Sequence, residues 1–210
     1  MSVLPLARRP RTSVRVPLPH GGAAQVRPLD DGESGPLLDV FAGLSAESRA
    51  SRYLAGMPRL PGPLVQRLSA VDGVTSVAWL ATVDGRPAGI GRYVGTIEDP
   101  CTAEVAFEVV DEHQHRGLGT VLLDAITTVA AANGIRRLQA TVLPHNGASL
   151  RLLSRIGIPM SLEGGVLDGT GPLRLLDPAL VDRRAVVALA RRSVPAPPES
   201  VWTAPCAAAH

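Results

Sequence analysis

The clearest feature of the chain is an alternating apolar pattern that stops at a glycine-rich loop and resumes with helical spacing. Residues 103–110 alternate between apolar and polar side chains, which predicts a β-strand. Residues 120–133 are typical of an amphipathic helix, with Gly134 at the position of a C-cap. The apolar residues on one helical face are Val121, Leu122, Ala125, Ile126 and Val129. The segment is therefore predicted to run strand, loop, helix.

Other stretches predict the remaining elements of one mixed domain. A hairpin is expected where strands 74–83 and 87–95 flank the turn dipeptide Asp84-Gly85, which accepts positive φ. Further predicted strands are 24–29, 137–142 and a pair within 160–176 that turns at "DGTG". Predicted helices lie at 63–70, 148–155 and 178–192 and within 30–56, where "SAES" resembles a capping box before a second turn of helix. Strands and helices in this mixed order predict the α+β (α/β) class, built around one sheet.

The length of 210 residues fits one domain with extensions at both ends. Residues 1–23 are rich in Arg and Pro and have little periodicity, so we expect a flexible N-terminal arm. Residues 193–210 form a Pro/Ala-rich tail. The single folded domain is therefore predicted to cover residues 24–192.

Composition excludes several classes of partner. The formal net charge is +2, which is too small to favour nucleic acid or an anionic membrane. No run of about 18 apolar residues could span a bilayer, and the first residues lack the apolar segment of a secretory signal. The two distant cysteines, Cys101 and Cys206, give no disulfide framework, and Cys101 is interpreted as an unpaired, non-catalytic thiol. We therefore expect a cytoplasmic protein.

The loop "QHRGLG", residues 114–119, has the character of an anion site; we call it the glycine loop. The first amides of a helix have no internal partner and carry the positive end of the helix dipole. Gly117 and Gly119 let a phosphate approach the backbone, and Arg116 adds a charged donor. A Walker loop is excluded because the chain has no Lys, and a dinucleotide fingerprint is excluded because position 122 is Leu.

The glycine loop resembles the Q/R-x-x-G-x-G/A signature of the GNAT superfamily of N-acetyltransferases. The flanking strand and helix are similar too, as are the later stretches "LQATVLPHN" and "ASLRLLSRIG", so that the resemblance covers residues 24–176. It implies a mixed central sheet of six or seven strands, splayed at its middle, with about four flanking helices. "GLSAESRASRYL" also resembles a stretch of bacterial protein-lysine acetyltransferases.

The resemblance implies acetyl-CoA as cosubstrate and no metal; His113 and His115 form only a weak metal pattern. The diphosphate would lie on the amides of residues 115–120, and the pantetheine arm would run beside the strand. The implied cofactor-binding residues are Val109, Val110, Gln114, His115, Arg116, Gly117, Leu118, Gly119, Thr120 and Asn146.

The resemblance also implies catalytic roles. Glu104, in "AEVAF", matches the glutamate that acts as general base, with Glu108 as the alternative. The amide of Val109 is the candidate donor to the thioester oxygen. The tyrosine that serves as general acid in many members is missing, because Leu152-Leu153 stands in that pattern.

The implied function is acetyl-CoA-dependent transfer of an acetyl group directly to a primary amine, with a protein lysine as the favoured acceptor. A small-molecule amine N-acetyltransferase and a non-catalytic acyl-CoA-binding sensor remain open alternatives. Expected partners are acetyl-CoA and the acceptor, without nucleic acid or membrane. The protein is expected to be a monomer or a homodimer.

Overall fold

The computed structural model describes residues 12–193, in which eight strands form one mixed sheet and six α-helices flank it. The strands are β1 Val14–Pro17, β2 Ala23–Pro28, β3 Ser76–Val83, β4 Arg86–Gly95, β5 Thr102–Val109, β6 Arg137–Val142, β7 Ser161–Glu163 and β8 Val166–Pro172. The helices are α1 Gly35–Ala42, α2 Ala46–Tyr53, α3 Gly62–Ser69, α4 Leu118–Ala132, α5 Gly147–Arg155 and α6 Arg183–Ser193. The expectations for residues 1–11 and 194–210 lie outside the described residues.

The sheet order is β1-β2-β3-β4-β5-β6-β8-β7, and only the β5–β6 pair is parallel. A parallel neighbour needs a crossover connection, and α4 supplies it between β5 and β6. The predicted hairpin of β3 and β4 and the strand–loop–helix segment are confirmed. The predicted helical stretch 30–56 forms α1 and α2, and the predicted cap in "SAES" is confirmed, because Ser45 accepts a hydrogen bond from the amide of Ser48 at the start of α2.

The prediction that residues 1–23 form an arm is wrong for its last part. β1 pairs antiparallel with β2, and the turn between them runs through Leu18–Gly22. Val16 and Leu18 are buried in the main core. The alternation of Val14, Val16 and Leu18 was a strand signal, but the surrounding Arg and Pro residues obscured it. This strand raises the count above the six or seven that were expected.

The closing strand pair exists, but its turn is not at "DGTG". Gly164 and Gly165 form the turn, with φ values of 55° and 90°, and Asp168–Gly171 lie inside β8. The two glycines of "DGTG" serve close packing instead, because a Cβ on Gly169 would lie 2.3 Å from the carbonyl oxygen of Pro159.

The sheet opens between its two parallel strands, as predicted. The pairs of β5 with β6 end at Glu104↔Gln139, although β5 continues to Val109 and pairs with β4 along that whole stretch. We call the gap beyond Glu104 the fork. α4 packs on one face of the sheet in the main core, and α1 and α3 cover β3 and β4 on the other face.

The bonding state of Cys101 differs from the prediction. It is disulfide-bonded, so the interpretation as an unpaired thiol is wrong. The residue ends the connection into β5, where its carbonyl oxygen accepts hydrogen bonds from the amides of Arg136 and Arg137 at 2.7 and 3.0 Å. A cytoplasmic location stays a prediction.

Candidate active site

The backbone of β5 presents amides to the fork. The amide of Val110 donates to the carbonyl oxygen of Ala88 at 2.9 Å, on the β4 side. Because successive residues of a strand direct their amides to opposite sides, those of Val109 and Phe107 point toward the fork. Both lie beyond the last β5–β6 pair. An extended ligand with amide groups of its own could add to this edge like a strand.

Val110 does not fit the role that was expected for it. Its amide is used by Ala88, and its carbonyl oxygen accepts from the amide of His113 at 2.8 Å. Both backbone groups of Val110 are therefore used within the protein, whereas the carbonyl oxygen of Val109 lies 3.2 Å from Nε2 of Gln114.

The glycine loop turns sharply into α4. His115 and Gly117 are both in the left-handed region, with φ values of 58° and 86°. Gly117 is the N-cap, so the amides of Leu118 and Gly119 begin the helix without partners in the preceding turn. The amide of Thr120 already donates to the carbonyl oxygen of Gly117 at 3.0 Å, which leaves its hydroxyl as the group it can offer. Successive amides in such a turn form an anion-binding concavity.

Gly117 is required by space as well as by conformation, and Gly119 is closely packed. A Cβ on Gly117 would lie 2.7 Å from Cδ of Pro19, which belongs to the β1–β2 turn. A Cβ on Gly119 would lie 3.0 Å from Cδ1 of Leu152 in α5. The loop is thus enclosed by the β1–β2 turn and by α5, and its open direction is left for a ligand.

The side-chain amide of Gln114 links the loop to α2, and its predicted contact with the cofactor stays a prediction. Its Nε2 lies 3.0 Å from Oδ1 of Asp111 and 3.2 Å from Oγ of Ser48 in α2. The amide of Ser45 also donates to Oδ2 of Asp111 at 3.2 Å. Partial burial acts to raise the pKa of Asp111, but hydrogen bonds from Ser45 and Ser48 and the charge of Arg49 outweigh it and lower the pKa. Gln114 is therefore a positioning residue that joins α2 to the loop.

Arg116 lies in the glycine loop, and its role as a charged donor stays a prediction. It is half-buried, and its Nη1 lies 3.2 Å from Nδ1 of His113. Its guanidinium therefore has His113 as a neighbour.

Asn146 begins α5, at the carboxyl end of the fork. Its Oδ1 accepts a hydrogen bond from the amide of Ser149 at 3.1 Å, so the side chain is an N-cap. Its Nδ2 is the group that would be left for a cofactor.

We expect Asn146→Ala to lower the free energy of unfolding by about 1 kcal/mol, because the amide of Ser149 loses its acceptor. Asn146→Asp retains the acceptor and should restore most of the loss. Urea unfolding measures both. Equal stability of the Ala variant and the unchanged protein would contradict the capping role.

The two candidate bases occupy different surroundings on the same face of β5. Glu104 is exposed, and within residues 12–193 it makes no ion pair. It sits at the vertex of the fork, opposite Gln139. The Glu108 side chain is only 1% exposed, beneath α2. Glu104 is therefore the more accessible of the two carboxylates.

Glu108 belongs to a buried charged cluster, which we call the α2 cluster: Arg52, Tyr53, Arg92 and Glu108. The hydroxyl of Tyr53 donates to Oε2 of Glu108 at 2.9 Å, and Nε of Arg52 lies 3.9 Å from the same oxygen. Burial and then the charge of Glu108 raise the pKa of Tyr53, so the phenol stays protonated as the donor. Burial, aided by Arg52, lowers the pKa of Arg92 to about 10, which leaves it charged at neutral pH.

We expect Tyr53→Phe to lower the free energy of unfolding by about 1–3 kcal/mol, since a buried carboxylate loses its hydroxyl donor. No described residue pairs with Oε1 of Glu108, so there is no second donor to compensate. Thermal or urea unfolding tests this. A Phe variant as stable as the unchanged protein would mean that the cluster does not hold α2 in place.

Glu104 and the Val109 amide lie far apart along β5. Five residues separate them along the strand, which corresponds to about 16 Å. Phe107 is three residues from Glu104, about 10 Å, and its amide also points into the fork. The catalytic role of the Val109 amide stays a prediction, and Phe107 offers a second amide nearer to Glu104 on the same edge. Sequence reasoning missed Phe107, although it has the same parity as Val109 along the strand.

Leu153, which stands where the pattern has the tyrosine, cannot act as a general acid. Leu153 is 3% exposed and packs in the main core. His145 is exposed in the loop before α5. The sequence also gave no signal for the contact of Tyr53 with Glu108, which lies 55 residues away.

Residues 12–193 contain no group of three or more His, Cys, Asp or Glu side chains that could hold a metal ion. Nor does this part of the chain contain a helix that is long and apolar enough to cross a membrane.

Known proteins resemble this chain over most of its length. It is 28% identical over 148 residues to Acetyltransferase Pat of Mycolicibacterium smegmatis, covering 70% of this chain and 44% of that protein. The chain thus spans less than half of that relative.

Solved structures share the fold. The GNAT domain of S. lividans PAT superposes with a TM-score of 0.71 at 34% identity, covering 77% of this chain and 97% of that one. YncA, a putative acetyltransferase from Salmonella typhimurium solved with its cofactor acetyl-CoA, superposes with a TM-score of 0.56 at 16% identity, covering 74% and 97%. Residues 49–158, just over half of the chain, match the family described as Acetyltransferase (GNAT). On its fold, its glycine loop and this match, the chain belongs to the GNAT family of acetyltransferases.

Proposed function

We propose that the protein transfers the acetyl group of acetyl-CoA to a primary amine, and that the acceptor is a protein lysine. The main support for acetyl transfer is that the amides of Phe107 and Val109 face the fork beyond the last β5–β6 pair, shortly before the glycine loop. The loop offers amides and Arg116 to a diphosphate, and the fork offers an edge to an amide-containing arm.

The direction in which the fork opens sets the order in which the parts of a bound coenzyme would lie along β5. The strands diverge toward their carboxyl ends, where the glycine loop and Asn146 lie. A coenzyme whose diphosphate is bound at the loop places its arm along Val109 and its thioester nearer the vertex. That end of the fork holds Glu104. The order of groups thus favours Glu104 over Glu108 as the base.

The residues divide the chemistry as follows. Acetyl-CoA supplies an activated thioester when it is bound. The amide of Phe107 would stabilise the negative charge that develops on the carbonyl oxygen. Glu104 would accept the proton of the ammonium, directly or through water, because an amine with a pKa of about 10.4 is protonated at neutral pH. The thiolate that leaves would take its proton from water.

The open setting of Glu104 supports a protein acceptor. Glu104, Gln139 and Thr170 are adjacent in register across β5, β6 and β8. Glu104 and Thr170 are exposed and Gln139 is half-buried. A small amine needs a concave, enclosed pocket, whereas a lysine on a protein surface needs an accessible carboxylate.

The test measures two quantities on the same protein. Calorimetry with acetyl-CoA should show binding, and release of free thiol should rise with a lysine-containing peptide. The comparison acceptors are a polyamine and a free amino acid. Turnover with these alone would contradict the protein acceptor. Binding without thiol release for any amine would instead indicate an acyl-CoA sensor, and absence of binding would contradict the whole proposal.

A further inference from the structure

The turn between β1 and β2 lies against the glycine loop. Leu18 is 6% exposed in the main core and anchors the turn. Two hydrogen bonds close the turn. The amide of Leu18 donates to the carbonyl oxygen of Gly22 at 3.2 Å, and the amide of Gly21 donates to the carbonyl oxygen of Leu18 at 3.1 Å. The burial of Leu18 in the core and the two hydrogen bonds within the turn therefore hold it next to the loop.

The turn approaches the loop at two places. Pro19 packs on Gly117 so closely that a Cβ on Gly117 would lie 2.7 Å from Cδ and 3.0 Å from Cγ of the proline. Nη2 of Arg116 is near Gly22, 4.0 Å from the position that a Cβ on this glycine would occupy. Because Nη1 of Arg116 lies 3.2 Å from Nδ1 of His113, the guanidinium lies between His113 and the turn.

We propose that the β1–β2 turn is a second wall of the coenzyme site, which holds Arg116 in place for the phosphate groups at the nucleotide end of acetyl-CoA. The inference rests on the proposed function, because it assigns a positioning role at the same site. Pro19 is the positioning residue, and it acts through Gly117 and Arg116. The amine acceptor and the thioester end of the coenzyme do not depend on it.

The physical basis is preorganisation. An arginine side chain has many rotamers, and ordering it upon binding reduces affinity. The turn and His113 restrict Arg116 before the ligand arrives. We expect loss of the Pro19 contact to weaken acetyl-CoA binding by about three- to tenfold, since one rotamer-rich side chain must then be ordered by the ligand.

The experiment uses Pro19→Ala, Arg116→Ala and the double variant in the full chain. Each is titrated with acetyl-CoA and assayed with S-acetylpantetheine, a thioester donor without the diphosphate and nucleotide. Pro172→Ala, an exposed proline at the end of β8, is the matched control. Thermal unfolding checks that each variant is folded.

We expect Pro19→Ala to weaken acetyl-CoA binding and to leave the rate with S-acetylpantetheine unchanged. The double variant should bind no more weakly than Arg116→Ala alone, because the two residues act as one unit. The inference is overturned if Pro19→Ala binds acetyl-CoA as tightly as the unchanged protein or more tightly. Additive losses of affinity in the double variant, or an equal loss of rate with S-acetylpantetheine, would also overturn it. If the unchanged protein fails to bind acetyl-CoA, the proposed function fails first, and the two failures are thereby distinguished.

Discussion

Glu104→Gln should slow acetyl transfer by about 10²- to 10⁴-fold and leave the affinity for acetyl-CoA unchanged. The substitution keeps the size of the side chain but removes the group that accepts a proton. Glu104 is exposed and forms no ion pair within residues 12–193, so the fold does not depend on its charge. Thiol release and calorimetry measure the two quantities on one preparation.

The controls separate a base from a structural carboxylate. Glu163→Gln changes an exposed glutamate of the edge strand β7 and should leave both rate and stability unchanged. Glu108→Gln removes a charge from the α2 cluster, so we expect it to reduce stability first. If Glu104→Gln retains the full rate while Glu108→Gln abolishes it in a folded protein, the assignment of the base is wrong and Glu108 takes its place.

Gly117→Ala should weaken acetyl-CoA binding by about tenfold or more and destabilise the fold. The left-handed φ of 86° costs an alanine about 1–2 kcal/mol. The added Cβ would also lie 2.7 Å from Cδ of Pro19, so the loop or the β1–β2 turn must shift. Such a shift moves the amides of Leu118 and Gly119, and loss of one hydrogen bond to a charged group accounts for a factor of this size.

Gly85→Ala is the matched control for this variant. Gly85 has a φ of 76° in the β3–β4 turn, and a Cβ there meets no atom within 4 Å. It should show the same backbone cost without a change in affinity. Calorimetry and urea unfolding of both variants separate the two effects. Equal affinities would show that the loop does not hold the coenzyme.

Much of the fold could be predicted because local chemistry dictates it. The helical period after Thr120, the Asp84-Gly85 turn and the alternation of β5 each depend on neighbouring residues, so they can be read without knowing the fold. Errors arose where neighbouring residues gave competing local signals. Arg and Pro residues obscured the alternation of β1, and a second glycine pair in β8 obscured the turn at Gly164-Gly165.

The sequence by itself determined that a strand delivers the chain to a glycine loop that opens α4, because these features rest on residue period and on glycine's access to positive φ. Only the tertiary structure decided which amides are available. The strand register and the hydrogen bonds show that the amide of Val110 donates to Ala88 and that the amide of Phe107 faces the fork. They also show that Gln114 contacts Ser48 of α2. The tertiary structure also placed Glu108 beneath α2 and Glu104 at the open vertex. Hydrogen-bond partners and burial depend on residues far apart in the chain, so no local pattern encodes them.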